Sequence, residues 1–464
     1  MLMLQNYIDG SNDNPILTLA EKMKDICYEP PDGHEAYSHI YGANGAKIDS
    51  DKAMEHSAIA WAIVDEAIRY SRADKGASIP PEKSLVDYFE GAIQARGYSD
   101  DKALLVKDLA DMWSNIVGEP IHKQSLRYMW LEECIEGGKR EHGNRSKQSL
   151  LTDMLLENWF LASTYKAILE EVYRECSEQA DIQLNKKVTR VVSHRNHDKD
   201  SYAVSVIVDD NTTHFFDEVV VTAPLGWLKR NKPVFAPPLP PNIANAIDHI
   251  GYGRLEKVYI NFSHAYWQSG APGTVKPFIF QFLTPDYAPE HNSNRRTIEC
   301  VSLAALPPRC DHATLLFYIN GPTSEYVTSL VQDCRRGSEG QHQKLKAFFS
   351  PYYSRLPNYD ANTCEPVDFC STDWQHDELA GNGSYSTYQV SDSAEGLIEL
   401  DKDIDMLRVG LPERHLWFAG EHTAPTLALG TTTGAYWSGA AVADRLQQVY
   451  ARGREHSSKT ACYG

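Results

Sequence analysis

The sequence predicts an α/β protein with α+β elements, in which helix-rich and strand-rich segments follow one another along the chain. Residues 16–176 carry apolar side chains mainly at spacings of three and four, which is typical of amphipathic helices. Residues 182–222 instead contain short β-branched runs separated by Asn, Asp and Lys, as in a meander of strands. Near the C-terminus, a short apolar run leads through glycine to small residues at helical spacing. A chain of 464 residues is long enough to form two or three domains from these segments.

The elements predicted by these patterns can be given in chain order. Helical periodicity covers 16–26, 52–70, 84–95, 101–116 and 150–176. The strand-like runs are IQLNKKVTRVVSH, YAVSVIV and FFDEVVVTA, followed between 255 and 320 by LEKVYINF, FIFQFL, TIECVSLAA and ATLLFYI. Two further helices are expected near 324–334 and 343–349.

Composition and charge exclude several classes of protein. The net charge of −18 argues against nucleic acid as a partner, because phosphate binding needs a basic face. No run of about 18 apolar residues is present, so we expect no membrane span. Nine cysteines without a Cys-x-x-Cys pair favour a reducing compartment over a disulfide framework. With neither a signal peptide nor a C-terminal Ser-Lys-Leu, the expected location is the cytoplasm.

The C-terminal stretch FAGEHTAPTLALGTTTGAYWSGAAVADRL, from Phe418 to Leu446, predicts a strand, a small-residue loop and a helix. The first turn of that helix, from Gly430 to Gly434, would present backbone N–H groups and hydroxyls to an anion or to the polar edge of a cofactor. Glu421, directly after the buried strand, would accept hydrogen bonds from hydroxyl groups. An ordinary strand-to-helix connection with a capping threonine explains the local pattern equally well.

Four motifs occur in a fixed order along the chain. They are VVVTAPLGWLK (219–229), GYGRLEKVYINFSHAYW (251–267), DWQHDELAGNGSYSTY (373–388) and FAGEHT with GTTTGAYWSG. This order resembles the flavin-dependent amine oxidase family: the monoamine oxidases, the polyamine oxidases and the related histone-lysine demethylases. The resemblance runs from about Asn6 to Leu446 and is greatest to the fungal polyamine-oxidase-like branch. It implies a two-domain flavin amine oxidase fold, with an incomplete Rossmann-like FAD domain and a mixed-sheet plus helical substrate domain.

The resemblance also implies how the chain is divided. The expected segments are 1–30 (remnant of an N-terminal FAD-domain segment), 31–175 (helical part of the substrate domain), 176–240 (FAD-domain meander), 241–399 (substrate-domain sheet), 400–450 (C-terminal FAD-binding segment) and 451–464 (flexible tail). The family's N-terminal Gly-x-Gly-x-x-Gly unit, which binds the ADP half of FAD, has no counterpart in the printed sequence. We expect an incomplete gene model or a degraded paralogue, and poor FAD binding by these 464 residues alone.

Cofactor-binding roles follow from the resemblance. Glu421 would accept hydrogen bonds in the ribityl or pyrophosphate region of FAD, and Thr431 and Thr432 would lie at the helix start beside the isoalloxazine. The backbone of Val188 would meet the adenine end. Ser384 stands where monoamine oxidases have the cysteine that bonds the flavin, so FAD is expected to be noncovalent.

The resemblance assigns catalytic roles to three residues. Lys257 would contact a water at flavin N5, although a solvent-exposed lysine at a strand edge is the simpler reading of its strand alone. Tyr385 would form one wall of the aromatic cage that holds the amine. Thr431 takes the position of the second cage tyrosine of monoamine oxidases, which favours the polyamine and demethylase branches.

The implied activity is FAD-dependent oxidation of an amine, specifically a polyamine, with hydride transfer to flavin N5, imine hydrolysis and H2O2 formation. The implied partners are a small-molecule amine and O2, with no metal, and the sequence leaves the oligomeric state open. Weak candidates for binding substrate cations are Glu132, Glu133 and Glu136, although a solvated helix face explains them better. An inactive amine-binding protein and a histone-lysine demethylase-like protein remain alternatives.

Overall fold

The computed structural model describes residues 7–9, 14–23, 38–131, 158–161, 165–194, 203–268, 276–288, 290, 292, 295–306, 310–391, 398–425 and 428–461. Its α-helices in these ranges are α1 Pro15–Lys22, α2 Ser50–Arg72, α3 Leu85–Arg96, α4 Asp100–Ala110, α5 Trp113–Val117, α6 Tyr165–Ser177, α7 Leu225–Asn231, α8 Pro241–His249, α9 Gly321–Val331, α10 Glu339–Tyr353, α11 Leu400–Val409 and α12 Thr432–Ala461.

Strands of the same ranges are β1 Tyr7–Asp9, β2 Ser38–Tyr41, β3 Asn158–Phe160, β4 Val188–Ser193, β5 Val204–Val208, β6 Thr213–Phe216, β7 Val219–Val221, β8 Phe235–Ala236, β9 Gly251–Tyr252, β10 Glu256–Phe262, β11 Ile279–Phe282, β12 Ile298–Ser302, β13 Thr314–Ile319, β14 Pro366–Ser371, β15 Ser386–Thr387 and β16 Leu416–Phe418. Helices and mixed sheets therefore alternate along the chain, which confirms the α/β fold class.

The chain forms two compact units. Unit 1 comprises Met1–Tyr173, Gly253–Ser384 and Tyr388–Leu397, and unit 2 comprises Arg174–Tyr252, Tyr385–Thr387 and Ile398–Gly464. The assignment of one unit to the cofactor and of the other to the substrate stays a prediction. None of the helices described here has the length and apolar character needed to cross a membrane.

Unit 1 is built on a six-stranded sheet with the order β14-β10-β13-β12-β11-β2. Strand β2 runs parallel to β11, and the other neighbours are antiparallel. One face of the sheet carries Val258, Ile260 and Phe317, which pack with Phe348 and Phe349 of α10 in a buried core. The Phe317 and Phe349 rings lie 4.7 Å apart between centroids. This apolar face holds the sheet against the helices that follow it.

Helices α2 to α5 form a second core of unit 1. Their apolar stripes meet Ile40 of β2 and Leu283, and the rings of Trp61 and Trp113 pack edge to face at 5.8 Å. Helix α3 starts in a capping box between Ser84 and Asp87, which satisfies its first N–H groups.

Unit 2 contains a four-stranded sheet of order β6-β5-β4-β8 and a two-stranded parallel sheet of β7 and β16. In the parallel pair, Val219 is opposite Leu416 and Val221 is opposite Phe418. The Trp417 indole N–H donates to the Glu218 carboxylate at 2.7 Å. The parallel pair therefore joins two segments that lie almost 200 residues apart in sequence.

Two predictions of local structure were overturned by strand pairing between distant segments, and the helix predicted over 101–116 is divided into α4 and α5. The helix predicted over 150–176 is interrupted within the described residues, because Asn158–Phe160 forms strand β3 against β1 and helix α6 begins only at Tyr165. The run 215–223 was assigned to one meander, but Val219–Val221 leaves it and pairs in parallel with β16. In both cases a partner distant in sequence overrides the local pattern. Strands β2 and β14 were not predicted at all, whereas β10 to β13 were.

Candidate cofactor and amine site

The strand, loop and helix predicted at the C-terminus are all present in unit 2. Strand β16 ends at Phe418, and Gly420 follows with a φ of +143°. A Cβ atom at Gly420 would come within 2.8 Å of the His422 ring, so the turn is suited to glycine. The Gly420 N–H donates to Ser438 Oγ at 2.8 Å, which ties this turn to helix α12.

Glu421 lies immediately after this turn and organises two other segments. Its carboxylate accepts hydrogen bonds from Ser386 Oγ at 2.9 Å, from the Ser386 N–H at 3.3 Å and from the Gly430 N–H at 3.0 Å. The residue keeps some accessible surface, but its carboxyl group lies deep among protein atoms. This burial raises the pKa of Glu421 to about 7, although the hydrogen bonds from Ser386 and Gly430 oppose the rise.

The start of helix α12 has a threonine cap. Thr431 Oγ1 accepts a hydrogen bond from the Gly434 N–H at 2.9 Å and donates one to the Ala428 carbonyl at 2.8 Å. Thr431 is therefore the N-cap residue, and Thr432 is the first helical residue. The N–H groups of this first turn have no carbonyl partner within the helix, so they favour an acceptor group placed at its end.

Tyr385 lies next to the same helix start. A Cβ atom at Gly430, whose φ is +77°, would meet Tyr385 Cδ2 at 3.2 Å and the Ser386 carbonyl oxygen at 3.0 Å. The Tyr385 ring thus rests against the glycine that precedes Thr431. Unit 2 therefore brings together three of the predicted site residues: Tyr385, Glu421 and Thr431.

Two of the buried polar atoms of unit 2, Thr387 Oγ1 and His422 Nε2, lie close in sequence to the predicted residues Tyr385 and Glu421. Neither has a hydrogen-bond partner among the residues described. His422 is 1 % exposed, and burial lowers its pKa to about 4, so its ring is neutral near pH 7. Buried polar groups are normally satisfied, and orphaned ones beside a helix start fit a site whose ligand supplies hydrogen bonds. These residues therefore suit a polar cofactor edge.

Lys257 lies in unit 1, on the interior strand β10 between β13 and β14. It is 8 % exposed, so the alternative of a solvent-exposed lysine at a strand edge is wrong. Its backbone N–H donates to Thr372 Oγ1 at 2.8 Å, and its Nζ lies 5.4 Å from the centroid of the Tyr318 ring. An aromatic face of this kind stabilises a lysine ammonium that is largely removed from water.

The remaining candidates are less informative. Val188 opens strand β4 of unit 2, opposite Val208, and the strand is irregular between Val188 and Arg190. Trp374, in the third of the four motifs, is 6 % exposed and packs in the interior, as most tryptophans do. The acidic candidates Glu132, Glu133 and Glu136 lie outside the described residues.

A family model described as flavin containing amine oxidoreductase matches residues 135–447. The chain belongs to this family. Membership confirms the resemblance drawn from the four motifs and implies a flavin cofactor.

Among the relatives of this chain, "Probable polyamine oxidase 5" of Arabidopsis thaliana is 28% identical over 59% of this chain and 52% of its own length. "Corticosteroid-binding protein" of Candida albicans is 24% identical, over 60% of this chain and 55% of its own length. The human "Peroxisomal N(1)-acetyl-spermine/spermidine oxidase" is 27% identical, over 54% of this chain and 47% of its own length. The chain thus spans about half the length of these relatives.

Sequence reasoning missed several groups at this candidate site. Ser386, Thr387 and His422 stand directly beside predicted residues, yet small polar residues in a loop carry no signal of burial. Gly430 did carry a signal for a turn, because a glycine before a run of threonines marks a tight turn at a helix start. The binding and catalytic roles of the six predicted residues stay predictions.

Proposed function

We propose that this chain serves the FAD-dependent oxidation of an amine of the polyamine class, with FAD held noncovalently. The observation that carries the proposal is the cluster of Tyr385, Glu421 and Thr431 around Gly430. Family membership supports the same reaction class, as does similarity to a probable polyamine oxidase and to an acetyl-spermine/spermidine oxidase.

The helix start would hold the flavin. Thr431 and Thr432 would face it across the first turn of α12, and Glu421 would accept hydrogen bonds from its hydroxyl groups. Since the Glu421 pKa is about 7, the carboxyl group can also donate a hydrogen bond when protonated. Val188 would serve the adenine end through its backbone. Noncovalent binding is supported by Ser384, which stands where monoamine oxidases have the cysteine that bonds the flavin.

Flavin, when bound, supplies the two-electron chemistry: a hydride leaves the carbon beside the amine nitrogen, the imine hydrolyses, and O2 is reduced to H2O2. The chain's own residues prepare the amine for this step. The Tyr385 ring face would attract the ammonium and then align the neutral amine, and the buried surroundings would exclude bulk water. Lys257 would hold an ordered water by donating a hydrogen bond to it.

Substrate class follows from the shape of the cage. Thr431 is much smaller than a tyrosine, so one side of the cage beside Tyr385 stays open to a long substrate. The net charge of −18 also favours the approach of extended cations. Both features favour a polyamine over a small arylalkyl monoamine.

Peroxide release tests the proposal. The purified chain, supplied with excess FAD, would be assayed with spermine, an acetylated polyamine and benzylamine across a range of pH. We expect peroxide from the polyamines, with rates that rise with pH, because the bound amine must be neutral before it loses hydride. If benzylamine is the best substrate, the polyamine assignment is wrong. If no amine yields peroxide while flavin is bound, the oxidase function is wrong.

A further inference from the structure

The six-stranded sheet of unit 1 has two unlike faces. Alternate residues of each strand point to opposite sides, and Val258, Phe317 and Cys300 belong to the buried apolar core. The residues that alternate with them along each strand point to the opposite face of the sheet. They include Lys257 of β10 and Glu299 of β12. A buried sheet face that carries charged side chains needs an explanation, because desolvating them costs free energy.

Four polar side chains on this second face stand in register across four neighbouring strands. Gln281 is opposite Glu299, Glu299 is opposite Tyr318, and Tyr318 is opposite Lys257. Directly opposed residues of antiparallel strands share a face and lie close together. We call these four residues, Gln281, Glu299, Tyr318 and Lys257, the polar row.

The end of the polar row farthest from Lys257 has unused hydrogen-bonding capacity. Gln281 Nε2 donates to Glu299 Oε2 at 3.1 Å, but Gln281 Oε1 is buried without a partner among the residues described. The Gln281 side chain is not merely turned toward solvent, because the residue is only 1 % exposed. Buried acceptors are normally hydrogen-bonded, so this amide oxygen can accept a hydrogen bond from a ligand.

Glu299 supplies a second acceptor at the same place. The residue keeps some accessible surface, while its carboxyl group is surrounded by protein atoms. Burial raises the pKa of Glu299 to about 7, and among the groups described here no cation offsets that burial. A carboxyl group and an amide oxygen together match an ammonium group, which has several N–H donors and a positive charge.

The spacing within the polar row suits an extended amine. Neighbouring strands lie about 4.8 Å apart, so the backbones at Glu299 and Lys257 are separated by about 10 Å. Tyr318 stands between them in register, and its ring would give an alkyl chain an apolar surface to lie on. A substrate with nitrogens at both ends of an alkyl chain can span this distance, whereas a monoamine cannot.

We propose that Glu299 and Gln281 form a binding site for the distal ammonium of an extended amine substrate. The other end of that substrate would lie toward the Lys257 end of the polar row. This inference rests on the proposed amine oxidation and names the residues that give it selectivity for long substrates. Glu299 is a specificity-determining residue, which should influence binding more than the chemical step.

Equilibrium binding of spermidine tests the site without requiring turnover. Calorimetric titration of the chain would be compared with that of Glu299→Gln and Gln281→Met, while Asp333→Asn, an exposed carboxylate of unit 1, serves as the charge-matched control. We expect Glu299→Gln to weaken spermidine binding about ten-fold or more and Gln281→Met to weaken it less. Benzylamine binding should not change in either variant, and Asp333→Asn should bind both amines as the original chain does.

Each other outcome overturns the inference. Spermidine binding that is undetectable in the original chain, or equal in Glu299→Gln, removes the site. Equal weakening of spermidine and benzylamine, or thermal unfolding shifted in both site variants, makes the polar row merely structural. Peroxide assays on the same proteins separate the two proposals. If benzylamine is oxidised but spermidine does not bind, the binding site is wrong and the oxidase function stands. If spermidine binding depends on Glu299 but no peroxide forms, the oxidase function is wrong and the binding site stands.

Discussion

Replacing Glu421 by glutamine should abolish a pH dependence of stability that this carboxyl group creates. In the folded chain the pKa of Glu421 is about 7, against an ordinary value of 4.5, because burial disfavours the charged form. A raised pKa means that the folded state holds the proton more tightly than the unfolded state. The stability from protonated Glu421 is therefore complete below about pH 4.5, is lost as the pH rises through about 7, and stays lost above that.

The size of this effect follows from the pKa rise. A rise from 4.5 to about 7 corresponds to about 3 kcal/mol of unfolding free energy. Glu421 keeps some accessible surface, so solvent screening reduces the effect, and we expect about 1–3 kcal/mol. Glutamine imitates the neutral form and still offers an oxygen to the Gly430 N–H.

Urea unfolding followed by circular dichroism at about pH 5 and about pH 8 measures the difference. The chain has two units, so the transition that the substitution shifts is the relevant one. The gain in stability of Glu421→Gln over the original chain should be larger at the higher pH. Glu413→Gln, an exposed carboxylate of unit 2, is the matched control and should show no such trend. A Glu421→Gln difference that is the same at both pH values would refute the reasoning.

Three further predictions concern the other site residues. Thr431→Ala removes the cap on the Gly434 N–H and the hydrogen bond to the Ala428 carbonyl, so it should lower the free energy of unfolding by about 1–2 kcal/mol in the same urea experiment. Thr431→Ser should keep most of that stability, and equal stability of the alanine and serine variants would contradict the capping role. Lys257→Met should leave flavin content unchanged but slow flavin reduction or reoxidation in rapid-mixing absorbance, because the residue acts through water; unchanged half-reactions would remove Lys257 from the mechanism. Tyr385→Ala should raise the amine concentration or pH needed for peroxide release, with Tyr385→Phe retaining most activity, and a silent alanine variant would disprove the cage.

The sequence predicted those parts of the fold that depend on local pattern. Strands β10 to β13 are short runs rich in β-branched and aromatic residues, and α2, α3 and α10 carry regular apolar stripes, so local pattern identified them. Strand β3 and the pairing of Val219–Val221 with β16 depend on partners far away in sequence, which no local pattern contains.

The candidate site shows the same division. The motif around Glu421 and Thr431 predicted the helix start, because glycine and threonine at a strand-to-helix turn have a known backbone role. The bonds from Ser386 to Glu421 could not be predicted, since they join segments 35 residues apart. The polar row was likewise invisible, because only the register of four strands brings Gln281, Glu299, Tyr318 and Lys257 onto one face.

The most direct test of amine oxidation is anaerobic titration of the FAD-loaded chain with spermine, followed by flavin absorbance. Oxygen is absent, so electrons taken from the amine must remain on the flavin. We expect the oxidised flavin bands to bleach and to return when air is admitted. Unchanged absorbance at saturating spermine, in a preparation with bound flavin, would contradict the proposed function.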